Sequence, residues 1–148
     1  MRYSINTRRS YFVAALAFGV LASGCGVFGG GGGAKQTMTT SAESPAGEGT
    51  VQATKGESDN TKLEVRVKHL PAPSKLADDA SVYVVWIQPP KGDVQNVGAL
   101  AVDKDLVGKL ETTTPHKSFK LTVTPEPSAR MAAPTHKPVF TSMVNRVD

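Results

Sequence analysis

Few side chains in this 148-residue sequence are of the types that do chemistry, and their spacing decides what they can do. His69, His116 and His136 are scattered, with no pair at a recognisable ligand spacing, so no metal site is expected from them. Asp103-Lys104-Asp105-Leu106-Val107-Gly108 opens like a calcium loop, whose oxygens would wrap a hard cation. Its fifth position is Val107 rather than Asp or Asn, and its twelfth is Thr114 rather than Glu, so a turn between strands is the expectation. Asp78-Asp79 puts two carboxylates side by side, but beside Pro-rich turns the pair reads as a solvated loop rather than an acid–base site. No Gly-x-Ser-x-Gly element is present to seat a nucleophile. No catalytic, cofactor-binding or metal-ligating residue is assigned. That leaves Cys25, the only cysteine, which can form no intramolecular disulfide and needs another explanation.

The surroundings of Cys25 supply one. Arg2, Arg8 and Arg9 form a basic region, Tyr11–Val20 is apolar and uncharged, and Leu21-Ala22-Ser23-Gly24 brings small residues up to the cysteine. This is signal-peptide order. The run Leu21-Ala22-Ser23-Gly24-Cys25 resembles the lipobox of bacterial lipoproteins, with Ala22 where the commonest boxes carry Leu. The resemblance implies diacylglycerol on the Cys25 sulfur, cleavage between Gly24 and Cys25, and acylation (palmitate is typical) of the new amino group. Thr7-Arg8-Arg9-Ser10-Tyr11-Phe12 also resembles a twin-arginine export signal, which leaves the general and twin-arginine routes both open.

An ordinary cleaved signal and an uncleaved spanning helix are the alternatives. Ser10–Ala34 is uncharged and long enough to span. Gly24, Gly26 and Gly29–Gly33 place seven glycines in ten residues, however. At about 1 kcal/mol each relative to Ala, they should end a helix near Cys25. A lipidated Cys25 leaves no free thiolate, so Met131 and Met143 cannot complete a blue-copper set with a histidine. Two or three acyl chains hold a protein on a membrane stably where one holds marginally. Gly26, not Asp, follows the cysteine, which resembles proteins sent to the outer membrane where the host has one.

Residues 26–60 are rich in Gly, Ser and Thr, with Met38 and Val51 the only large apolar residues after Ala34. Such a segment buries too little surface to offset the entropy of ordering it. A disordered linker is expected over 25–60, with a root-mean-square reach of roughly 30–35 Å.

The domain is expected over 61–148. Leu63, Val65 and Val67 alternate with Glu64, Arg66 and Lys68, the period of a half-buried strand. Ser81–Gln88 is rich in β-branched and aromatic residues and reads as a central strand covered on both faces, with Trp86 a core residue between two sheets. Further strands are expected over 97–102, 107–112, 118–124 and 139–147. No window carries a helical period, and nine prolines lie from Pro71 to Pro138. The fold class is all-β, a small β-sandwich.

The run Val84-Val85-Trp86-Ile87-Gln88-Pro89-Pro90, then Asn96-Val97-Gly98-Ala99-Leu100-Ala101-Val102-Asp103, is similar to the extracytoplasmic domain of anti-sigma-K factors. The similarity continues through Phe119-Lys120-Leu121-Thr122-Val123-Thr124-Pro125-Glu126-Pro127 to Pro134-Thr135 and Pro138-Val139. It covers roughly residues 80–140 and implies an immunoglobulin-like sandwich outside the cytoplasm. Arg130-Met131 departs from it where glycines are expected. The sigma-binding segment and spanning helix of those factors have no counterpart here, so sigma-factor control is not carried over.

The stated charge of +4 belongs largely to the signal region. Without Arg2, Arg8 and Arg9 the chain has 14 basic residues against 13 acidic ones, interleaved in sign, which removes the compositional support for nucleic-acid binding. The expectation is a noncatalytic interaction or structural module of the cell envelope, held on a bacterial membrane through Cys25 and meeting a protein partner. An accessory sensory or regulatory module is the alternative, and a small-ligand carrier or enzyme the third.

Overall fold

A computed structural model describes residues 33–42 and 44–146. The signal segment 1–24, Gly24 and Cys25 lie outside the described residues. Among the described residues, ten strands form two five-stranded antiparallel sheets. They are β1 (Lys35–Thr37), β2 (Thr39–Thr40), β3 (Glu48–Lys55), β4 (Thr61–Lys68), β5 (Val82–Gln88), β6 (Gln95–Ala99), β7 (Ala101–Val102), β8 (Gly108–Thr114), β9 (Ser118–Glu126) and β10 (Phe140–Asn145). One sheet has the order β1-β3-β4-β8-β7, the other β2-β10-β9-β5-β6. Within them, β3-β4-β8-β7 and β10-β9-β5-β6 reproduce the immunoglobulin orders A-B-E-D and G-F-C-C′.

Alternation explains why these segments pair. On β4, Leu63, Val65 and Val67 are fully buried while Glu64 and Arg66 face outward. On β9, Phe119, Leu121 and Val123 enter the same core, and β5 adds Tyr83, Val85 and Ile87. In place of a disulfide, these side chains and Phe140 join the two sheets by burial alone. Pro125 is tolerated inside β9 because the pairing with β10 starts at Val123, so its missing N–H falls past the end of that neighbour.

The expected linker 25–60 is corrected from residue 35 onward. Lys35–Thr37 pairs with β3, the chain then crosses sheets, and Thr39–Thr40 pairs with β10. Met38, at the crossing, and Val51, on β3, are 3% and 1% exposed. The two large apolar residues of the supposed linker are thus both core residues. The Thr- and Gln-rich β3 needs few apolar groups of its own, because β4 lends it a partner along all eight of its residues. Gly49 lets the strand sit there: a Cβ would lie 2.5 Å from the Met38 methyl and 2.8 Å from the Phe140 ring.

The expected strand 97–102 is two strands, changing sheets at the buried Leu100. Asp103–Asp105 is a hairpin turn, with the Asp103 carboxylate accepting from the N–H groups of Asp105 and Val107. Trp86 also needs correction. It is fully buried, but on the face of β5 opposite Tyr83, Val85 and Ile87, so it does not lie between the sheets.

Candidate functional site

Trp86 is buried by the long connection between β9 and β10. Asn96 is the strand partner of Trp86, and its side-chain amide donates to the carbonyls of Ala129 and Met131 at 3.0 and 2.9 Å. A bulge between Val85 and Trp86 sets up this clamp, with Gly98 at φ +136° and its N–H donating to the Asn96 side-chain amide oxygen, Oδ1, at 3.0 Å. Residues 127–138 therefore lie across the outer face of this sheet and complete a small second core over Val84 and Trp86.

The polar heart of that second core is a relay of hydrogen bonds. The Trp86 indole N–H donates to the Thr124 hydroxyl at 2.8 Å, and that hydroxyl donates to Glu126 at 2.6 Å. The Glu126 carboxylate is fully buried. It also accepts from the backbone N–H of Thr135 at 3.0 and 3.2 Å and from the Thr135 hydroxyl. Burial pushes its pKa up, but the hydrogen bonds from Thr124, Thr135 and the His136 backbone outweigh this and hold it below the usual carboxylate range. Glu126 is thus a buried anion with a full set of donors.

His136 sits at the rim of this arrangement. Its Nδ1 lies 3.0 Å from the Thr135 hydroxyl and 3.8 Å from Glu126, and its Nε2 lies 3.0 Å from Asp79. A hydroxyl, an imidazole and a carboxylate in line resemble a nucleophile–base–orienter set. The Thr135 hydroxyl is already committed to Glu126, however, so the chain of contacts ties the 69–81 connection to the 127–138 segment. A shallow cavity of about 370 Å³ lies beside it, lined by Leu76, Pro125, Thr135, His136, Lys137 and Val139.

The three histidines are not brought together. His69 is exposed in a left-handed backbone conformation, and His116 lies 3.4 Å from Gln95 at the other end of the sandwich. Among the described residues no group of three His, Cys, Asp or Glu side chains is placed to hold a metal. Asp78 and Asp79 are exposed, and only Asp79 reaches His136. Sequence reasoning missed Glu126; the one available signal was a Glu between two prolines followed by Pro134-Thr135, motif residues whose contact and burial only the fold reveals.

A second polar cluster closes the opposite end. The Arg146 guanidinium donates to the carbonyls of Asp59 and Asn60 at 2.8 and 2.9 Å and to the Asp59 carboxylate at 2.8 Å. Lys117 meets the other Asp59 oxygen at 2.7 Å. The Lys117 ammonium and Arg146 guanidinium hold the Asp59 carboxyl far below its usual range. Ser58 and Asp59 both have positive φ in this turn, and Arg146 fixes it against the end of β10.

No helix among the described residues is long and apolar enough to cross a membrane. No family model, curated protein or solved structure matches the chain significantly.

Proposed function

We propose that this chain is a noncatalytic interaction or structural module of the cell envelope, carried on a lipid at Cys25. The observation that supports it is how the Glu126 cluster is used. Among the described residues, the constellation with catalytic types, Thr135, His136, Glu126 and Asp79, spends its hydrogen bonds on fastening a proline-rich connection to the outer face of a sheet. What results is a rigid loop surface on a sandwich, the form in which immunoglobulin-like domains present loops to partners.

A second reading, an accessory regulatory module, draws on the similarity to the anti-sigma-K extracytoplasmic domain. One contact favours it: the Glu126 and Thr135 of the two shared motifs hydrogen-bond to each other. The test is crosslinking in cells followed by capture of the wild-type protein, with Cys25→Ser as control. A single partner enriched only with the wild type supports the proposal, and its identity chooses between structure and signalling. Unchanged size and unchanged membrane fractionation of Cys25→Ser would remove the lipid anchor.

A further inference from the structure

Resting on the reading of Cys25 as the anchor, we propose that the end of the sandwich where β1 begins docks on anionic lipid headgroups through Met143, Pro89, Pro90, Lys91 and Lys120. The first argument is chain length. With strands starting at Lys35, nine residues (26–34) separate Cys25 from the fold, not thirty-five. The ten backbone steps from Cys25 to Lys35 reach at most about 36 Å fully extended. Lys35 pairs with Gln52 near the end of β3, so the tether enters at the end that also carries the β3–β4, β5–β6 and β8–β9 turns. The opposite loops, including 127–138, stand roughly 30 Å further out, the length of the nine-residue β9.

The second argument is the chemistry of that end. Met143 is 61% exposed, the most exposed of the large apolar side chains described. It lines a shallow hollow of about 350 Å³ with Pro89, Pro90, Gly92, Gln88 and the Lys120 stem. Met143 and Lys120 are strand partners, as are Lys120 and Gln88, so the patch continues across three strands to the β5–β6 turn. An apolar centre rimmed by long cationic side chains suits the headgroup boundary, where lysine stems lie on apolar surface and their ammonium groups meet phosphate. Lys35, Lys91 and Lys120 are exposed and make no ion pair with a described residue. The acids at this end are Glu57, Asp59, Glu64, Asp93 and Glu111; Asp59 is held by Lys55, Lys117 and Arg146, Glu64 by Arg66 and Glu111 by Lys62, which leaves Glu57 and Asp93 against the three lysines. The patch is therefore cationic next to its only exposed large apolar group.

The test uses the mature chain 25–148, coupled through its only cysteine to a maleimide phospholipid in vesicles of phosphatidylcholine with or without phosphatidylglycerol. Amide hydrogen exchange is read at 89–94 and 142–146, with the far turn 103–107 as internal control. Anionic vesicles should slow exchange at the first two segments by about fivefold or more, on the scale of one lysine at a charged surface, and leave 103–107 unchanged. Lys91→Glu with Lys120→Glu, and separately Met143→Ser, should abolish the difference without altering the circular dichroism of the domain. Equal exchange on both vesicle types, or slowing confined to 103–107, overturns the proposal. Because the lipid is attached chemically, this outcome is independent of the Cys25→Ser fractionation, which tests the anchor itself.

Discussion

Glu126 accepts the backbone N–H of Thr135 nine residues downstream at 3.0 Å, and this bond closes the proline-rich connection into a cover for Trp86. The connection has few apolar residues of its own to hold it down. A buried carboxylate does the work instead, because backbone N–H groups in the loop need an acceptor and Glu126 offers two oxygens on a rigid strand.

The first prediction concerns that carboxylate. Glu126→Gln replaces an acceptor-only group with an amide whose N–H₂ must face a donor, so it should cost about 2–3 kcal/mol in urea unfolding. The wild type should also weaken on acidification. The folded pKa of Glu126 is lowered, so its stabilisation is complete above the unfolded value near 4.3 and fades as pH falls below it. The Gln variant should lack this component of the acid slope. An equal slope in both proteins would show that Glu126 does not carry it.

Trp86 is the only tryptophan and reports on the same loop. It should be poorly quenched by acrylamide in the native protein and become accessible on unfolding. Trp86→Phe removes the indole N–H that the Thr124 hydroxyl accepts, and the smaller ring leaves space beneath the cover. A loss of about 1–3 kcal/mol is expected. Asn96→Ala, which unclips Ala129 and Met131, should raise quenching of Trp86 before it lowers the unfolding midpoint.

Much of this fold was legible in the sequence, and the failures have physical causes. β4, β5, β8, β9 and β10 announced themselves through alternation or β-branched runs. The face of Trp86 did not, because Val82–Ile87 is apolar at every position and carries no period that marks a side. What buries Trp86 is a segment some forty to fifty residues away in sequence. Strands β1 to β3 were hidden for a different reason: Thr, Gln and Gly satisfy a strand whose neighbour supplies the burial. The Glu126 cluster was visible as a pair of short motifs, and only their meeting in space turned them into a site.

Tyr83 gives an alkaline prediction. Its ring is fully buried and its hydroxyl donates to the Pro71 carbonyl at 2.9 Å, and burial pushes its pKa up to about 12. The unfolded chain loses the phenol proton first, near 10, and then binds fewer protons than the native state. Stability should therefore fall between about pH 10 and 12, by about 2–3 kcal/mol in total. With residues 1–24 removed Tyr83 is the only tyrosine, so its ionisation can be followed directly by absorbance. Tyr83→Phe should cost about 1 kcal/mol at neutral pH and flatten this alkaline limb.

Arg146 fastens the far end of β10 to the β3–β4 turn. Arg146→Ala leaves the carbonyls of Asp59 and Asn60 without their guanidinium partner and should cost about 1–3 kcal/mol. Because Ser58 and Asp59 hold positive φ there, the loss should appear first as faster amide exchange across 56–60. Exchange that rises evenly over the whole domain would argue instead for a general loss of stability.

The strongest test of the domain boundary is truncation. A chain begun at Thr61 loses β3, which pairs with β4 from Glu48 to Lys55, and with it Met38 and Val51 from the core. β4 then becomes an edge with Leu63, Val65 and Val67 facing an incomplete interior. Such a chain should show no cooperative unfolding by circular dichroism, whereas one begun at Gly33 should unfold in a single transition. Met38→Ala in the full mature chain refines the point. It empties the space between Gly49 and Phe140 at the sheet crossing and should cost about 2–4 kcal/mol. Cooperative folding of residues 61–148 alone would return β1 to β3 to the role of an attached tether, and the short distance from Cys25 to the fold would go with it.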